Sequence, residues 1–146
     1  YAPIVEQPQY SLLKRTQFED FVQPAASRAG MGLVVWSPLA SGLLSGKYND
    51  GVPADSRLAH MDWLHESLYK EDNLKRVRAM ATIAKDLGCT QSQLALAGAL
   101  AGQGVSSVIT GATRIEQLQE NLEALSVQID SETNSTLNEI FPKPKT

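Results

Sequence analysis

Between Trp36 and Tyr48 the chain runs Trp36-Ser37-Pro38-Leu39-Ala40-Ser41-Gly42-Leu43-Leu44-Ser45-Gly46-Lys47-Tyr48, and these residue types at this spacing suit the holding of a phosphorylated ligand. Ser37, Ser41 and Ser45 offer hydroxyls, while Gly42 and Gly46 leave the backbone unobstructed. N–H groups in such a small-residue loop are what a diphosphate needs. Lys47 ends the stretch with a positive charge. Trp36 begins it with a broad ring, which serves either as ordinary core or as a platform on which a flat ligand stacks.

Something rigid must present that loop. Leu33-Val34-Val35, directly after Gly30-Met31-Gly32, predicts a short parallel strand covered on both faces, and Pro38 ends it because proline cannot donate to a sheet ladder. Ile4 to Gln7 predicts an earlier strand, stopped by Pro8, with Gln7 at its C-terminal end. Thr16-Gln17-Phe18-Glu19 fits a capping box, followed at helical spacing by Phe18, Phe21, Val22 and Ala25, with Pro24 as a kink and Gly30 as the close. Residues 49–73 lack clean periodicity and read as a long surface loop with one helical turn near Trp63 and Leu64. Arg57 lies in it.

From Leu74 the apolar stripe returns through Val77, Ala81 and Ala84, beside Met80, Ile83 and Leu87, and Gly88 supplies the cap. Thr90-Gln91-Ser92-Gln93 is a second capping box, opening a helix of small residues that ends before Gly102 and Gly104. Val105 to Thr110 predicts the third strand. Beyond Gly111-Ala112, Thr113-Arg114-Ile115-Glu116 is a third capping box, with Leu118, Leu122 and Leu125 on the inner face of its helix. Asp130 is placed to cap a last helix containing Leu137 and Ile140, before Pro142 and Pro144.

Composition narrows the function classes. The chain has 146 residues, 42% of them hydrophobic and 20% charged, with 13 basic against 16 acidic side chains, as in an ordinary globular domain. No basic block calls for nucleic acid or an anionic membrane, and no apolar run approaches the roughly 20 residues that span a bilayer. Cys89 is the only cysteine, which excludes an intrachain disulfide and favours a reducing, cytoplasmic setting. His60 and His65 stand five apart with no Cys or carboxylate cluster beside them, so no metal site is expected.

Three strands alternating with helices imply a parallel α/β layer. In a (β/α)8 barrel the chemistry sits at the C-terminal ends of the strands, with phosphates bound after strands seven and eight. Gln7, Trp36 and Gly111 all stand at such ends, so this architecture makes one site from three separated segments. A doubly wound sheet is the alternative, and no G-x-G-x-x-G follows any strand to support it.

The string from Trp36 to Tyr48 resembles the seventh-strand segment of the aldo-keto reductase superfamily. Within it the likeness is strongest to the voltage-gated potassium channel beta subunits and their plant and microbial relatives, which carry Trp where many members have Tyr or Phe. The resemblance covers the chain and implies the C-terminal half of a (β/α)8 TIM barrel: strands six to eight with their helices and a C-terminal helix, residues 1–146 forming a single partial domain. It implies NADPH as cofactor. Gln7 would hydrogen-bond the nicotinamide carboxamide and Trp36 would stack on the nicotinamide. Ser37, Pro38, Leu39, Ala40, Ser41 and Gly42 would wrap the diphosphate, Ser41 standing where some relatives have Cys. Lys47 and Arg57 would be the cations near the phosphates. Gly111, Thr113 and Gln117 would surround the adenosine phosphate, with Glu120 and Asn121 at the adenine. Many family members have Arg where this chain has Gln117, a departure that shifts 2′-phosphate recognition onto Lys47 and Arg57.

The implied activity is hydride transfer from NADPH to a small aldehyde or ketone. The alternative is a regulatory channel beta subunit using NADPH as a redox sensor, so that the expected assemblies are a homo-oligomer or an ion-channel complex. Family catalysis uses an Asp, Tyr, Lys and His set from strands one to four. Those strands would precede residue 1, so no catalytic residue is expected in this chain; the segment is expected either to come from a longer parent or to be unstable and prone to self-association, and to be catalytically silent.

Overall fold

The computed structural model describes residues 1–143. Its centre is a three-stranded, all-parallel sheet built from β1 (Val5–Glu6), β2 (Gly32–Val35) and β3 (Val105–Val108) in that spatial order. Val5 pairs with Gly32 and Glu6 with Leu33, while Leu33 pairs with Val105 and Val35 with Val108 across a one-residue irregularity. Parallel neighbours cannot be joined by a tight turn, so each connection carries helices.

β2 is not covered on both faces as its apolar run predicts. Leu33 and Val35 are buried and Val34 is only half-buried. Both residues of β1 are exposed, as are Ser106 and Ser107. One face of the sheet is therefore clothed, by Tyr10, Phe18, Ala26 and Ala99, and the other is left largely open.

The first crossover starts as a π-helical run, Gln17–Val22, and tightens into α1 (Gln23–Ala29). Pro24 stands in the first turn of α1, where its missing N–H is least costly, so the expected kink takes the form of a wide turn passing into a regular one. The capping box at Thr16 does not form, because Thr16 is itself helical and its side chain caps nothing. Glu19 is drawn instead to Arg15, whose Nε and Nη2 donate to its two carboxylate oxygens at 2.6 and 3.2 Å. A charged fork outcompetes one backbone N–H.

The stretch 49–73 is not a loop with a single turn. It contains α2 (Arg57–His60) and α3 (Asp62–Leu68), and α4 (Glu71–Asp86) begins before Leu74. Leu58, Leu64 and Leu68 are buried in a larger core cluster with Leu43, Leu44, Tyr48, Val77, Met80 and Leu94. Met61 interrupts the two short helices with a non-helical backbone, φ −136° and ψ 89°, which breaks the period that sequence reading relies on.

α5 (Gln91–Leu100) carries the expected capping box in full, with Gln93 N–H donating to Thr90 Oγ1 and Thr90 N–H to Gln93 Oε1. At α6 (Ile115–Glu123) the N-cap is Arg114 and the third capping box fails. Thr113 donates to Gln117 Oε1 from both N–H (2.9 Å) and Oγ1 (3.1 Å), leaving Glu116 out. Leu118, Leu122 and Leu125 are exposed, with Ile115, contrary to the predicted inner face. α6 meets α5 through Glu120 and Glu123, which accept from Thr90 and Gln93, and its leucines turn away from that contact. α7 (Ser131–Ile140) is capped by Asp130, which accepts from Thr133 N–H at 2.8 Å; that bond holds the Asp130 carboxyl below its ordinary pKa. Pro142 follows α7, and Pro144 lies outside the described residues. No helix among the described residues is long and apolar enough to cross a membrane.

Candidate functional site

The site begins where β2 ends. Trp36 N–H donates to Pro8 O at 3.1 Å and Tyr10 N–H donates to Trp36 O at 3.3 Å, so the strand exit is tied to the segment that leaves β1. The flanking Val35 and Pro38 are buried, yet Trp36 is 43% exposed. The ring is not core.

Beyond it the backbone adopts an unusual conformation. Ser37, Ala40 and Ser41 have φ of 59°, 47° and 56°, and Gly42 and Gly46 have 88° and 81°. Left-handed backbone is ordinary for glycine but costs other residues on the order of 1 kcal/mol or more each. Three such residues in one short loop mark a place where geometry serves something besides stability. Ala40 N–H donates to Ser37 O and Gly42 N–H to Leu39 O. The N–H groups of Ser37, Leu39 and Ser41 find no acceptor among the described residues. Free N–H groups in a turn that passes into left-handed backbone form a concavity that attracts anions. Beneath the loop Leu43, Leu44 and Tyr48 are fully buried, so its floor is fixed.

Lys47 folds back over this loop. A Cβ built on Gly42 would stand 2.7 Å from Lys47 Cε and 2.9 Å from Nζ, so the glycine leaves room for the lysine side chain. The same Nζ lies 4.9 Å from the Tyr48 ring centroid, within cation–π range. A backbone concavity and an adjacent cation fit a phosphorylated ligand. Ser45 contributes differently, its hydroxyl donating to Gly42 O at 2.7 Å and bracing the turn.

The other predicted residues are placed less tightly. Gln7 is exposed just past β1, and Gly111 is exposed beyond β3 with open space where a Cβ would stand. Gln7, Trp36 and Gly111 thus follow the C-terminal ends of three adjacent strands. Arg57 is exposed at the start of α2 and makes no ion pair with a described residue. Thr113 and Gln117 are bonded to each other, Glu120 Oε1 accepts from Thr90 Oγ1 at 2.6 Å, and Asn121 is half-buried. Sequence reading missed Gln91, taken only as a member of a capping box. Its Oε1 accepts from Asn49 Nδ2 at 3.4 Å and its Nε2 donates to Val77 O at 2.5 Å.

Tyr48 is fully buried and Tyr1 fully exposed, and Tyr69 tilts against His65 at 4.9 Å between ring centroids. Tyr10 donates to Glu19 at 3.0 Å; burial, with Glu19 beside it, pushes its hydroxyl pKa far above the ordinary phenol value. A groove of about 340 Å³, lined by Tyr10, Gly98, Gly102, Asn134 and Lys143 among others, shares no residue with the loop.

Known proteins extend this picture. The sequence pattern of the Aldo/keto reductase family matches residues 1–141. The chain is 47% identical over 129 residues to a probable voltage-gated potassium channel subunit beta of Arabidopsis thaliana, covering 86% of this chain and 39% of that protein. A protein of the same description from Oryza sativa subsp. japonica gives the same figures. A putative voltage-gated potassium channel subunit beta of Schizosaccharomyces pombe is 42% identical over 143 residues, 95% of this chain and 41% of that protein. The chain therefore spans about two fifths of the length of these relatives. A match across nearly every described residue, including the strand, the strained loop and its lysine, establishes that the chain belongs to the aldo/keto reductase family.

Proposed function

We propose that this chain is the cofactor-holding part of an NADPH-dependent aldo/keto reductase, with β1, β2 and β3 as strands six to eight of a (β/α)8 barrel. The observation that carries the reading is the left-handed loop at the end of the central strand, with Lys47 folded over Gly42. The open face of the sheet supports it too, since a barrel strand needs helices on one side and the filled interior on the other.

NADPH, when bound, supplies the hydride that reduces a carbonyl carbon to an alcohol. This chain's residues hold and orient it. The exposed Trp36 ring lies against the nicotinamide and Gln7 takes its carboxamide. The free N–H groups of Ser37, Leu39 and Ser41 take diphosphate oxygens, in the loop that also includes Pro38, Ala40 and Gly42. Lys47 and Arg57 answer the 2′-phosphate. Gly111, Thr113 and Gln117 surround the adenosine phosphate, and Glu120 with Asn121 meets the adenine. The reading carries with it a small carbonyl substrate and a cytoplasmic setting.

Trp36 gives the direct test. In the protein carrying this chain, NADPH is expected to quench tryptophan fluorescence, and Trp36→Ala is expected to abolish most of the quenching while weakening affinity. Unchanged quenching and affinity would remove Trp36 from the site. The isolated 146-residue chain is expected to reduce no aldehyde with NADPH, because Tyr10 and Tyr48 are buried and neither Tyr1 nor Tyr69 follows the C-terminal end of a strand; turnover by a verified monomer of this length would sink that reading.

A second reading rests on the relatives described as channel beta subunits. In it the same nucleotide site reports redox state to an ion channel, and a binding assay against channel cytoplasmic domains separates it from a purely metabolic enzyme.

A further inference from the structure

We infer that Gln91 is a positioning residue for cofactor choice, holding the turn that carries Lys47 so that the ammonium group stays over the phosphate-binding loop. This rests on the cofactor reading above and adds a residue to it. Gln91 is the first residue of α5, and its side chain reaches two other elements. Nε2 donates to Val77 O in α4 at 2.5 Å, and Oε1 accepts from Asn49 Nδ2 at 3.4 Å. Between these contacts the amide packs closely on Gly46. A Cβ on Gly46 would be driven into Gln91 Oε1 and would lie 2.9 Å from its Cδ, so the left-handed glycine and the glutamine occupy each other's space.

The turn is tethered a second time. Arg78, next to Val77 in α4, donates from Nη2 to Asn49 O at 2.5 Å. Lys47 lies between Gly46, which is packed on Gln91, and Asn49, which is bonded to both Gln91 and Arg78. The lysine is itself exposed, and a long side chain on an untethered turn must lose much rotamer freedom to make one contact. Fixing the turn removes part of that loss in advance. Without Gln91 the charge remains but its position does not, and the loss falls on the ligand that needs the charge.

That consequence separates a positioning role from a merely structural one. NADPH carries the 2′-phosphate and NADH does not, so general damage to the loop weakens both alike, whereas a misplaced Lys47 weakens NADPH selectively. The test uses Gln91→Met, which keeps length and apolar packing, and Asn49→Ala, which cuts the same link from its other end. In the protein carrying this chain, each is expected to raise the Kd for NADPH by about tenfold and that for NADH by no more than about twofold, as the loss of a charge-assisted contact predicts. Amide hydrogen exchange across residues 46–49, measured without cofactor, is expected to quicken in both variants. Lys47→Met should shrink the preference without quickening exchange. Equal losses for both cofactors, an unchanged preference, or unchanged exchange would overturn the inference. Unmodified protein that binds NADPH no better than NADH would overturn the cofactor reading and this inference with it, while faster exchange in the variants would then leave Gln91 a structural link alone.

Discussion

Replacing Lys47 and Arg57 together by alanine is expected to weaken NADPH binding by about a hundredfold or more, while NADH binding changes by no more than about threefold. Hydrogen bonds between a cation and a phosphate are charge-assisted and contribute roughly 1.5–3 kcal/mol each. Both side chains are exposed, so solvent screening places them toward the lower end of that range. Of the two, Lys47 should carry the larger share, because it is already folded over Gly42, whereas Arg57 must be recruited from α2. Titration of each cofactor at two salt concentrations checks this. Added salt should shrink the preference, since exposed charges are screened. Equal losses for NADPH and NADH would assign both cations to the shared diphosphate instead.

The largest effect on stability is expected at Phe18. It is fully buried and stacks on Tyr10 with ring centroids 4.1 Å apart, in the small cluster with Ala26, Leu33, Val35 and Ala99 that clothes one face of the sheet. A cluster with so few members cannot close over a missing ring. Phe18→Ala should therefore cost about 3–5 kcal/mol. Calorimetric melting of the protein carrying this chain should show Tm lower by roughly 10 °C. The same change should also loosen Tyr10, whose backbone N–H holds Trp36 O, and so blur the strand exit. A melt shifted by less than about 1 kcal/mol would mean that the cluster repacks, against expectation for so large a cavity.

What was legible in the sequence was local. The strand before Trp36, the capping box at Thr90 and the Asp130 cap each depend on residues within a few positions, and each forms. The capping boxes at Thr16 and Thr113 had equally good patterns and failed, because Arg15 and Gln117 offered stronger partners that the pattern does not consider. The two helices from Arg57 onward were hidden by the non-helical backbone at Met61. Exposure of the α6 leucines reflects which side of that helix meets α5, a tertiary choice. At the candidate site the residues were legible but the conformation was not, since Ser37, Ala40 and Ser41 give no sign of left-handed backbone. Gln91 was invisible because its partners lie 14 and 42 positions away.

The middle position of β2 bears on the order in which the molecule assembles. β2 reaches β1 across residues 7–31, but reaches β3 only across residues 36–104. Closing the longer connection costs roughly 1 kcal/mol more in chain entropy, and non-local parallel pairing is slow in any case. β1, α1 and β2 are therefore expected to form the early unit. During synthesis from the N-terminus that unit can pair while β3 is still unmade, so the strand anchoring the phosphate loop is secured before the loop's floor, which needs Leu94 from α5, has been delivered.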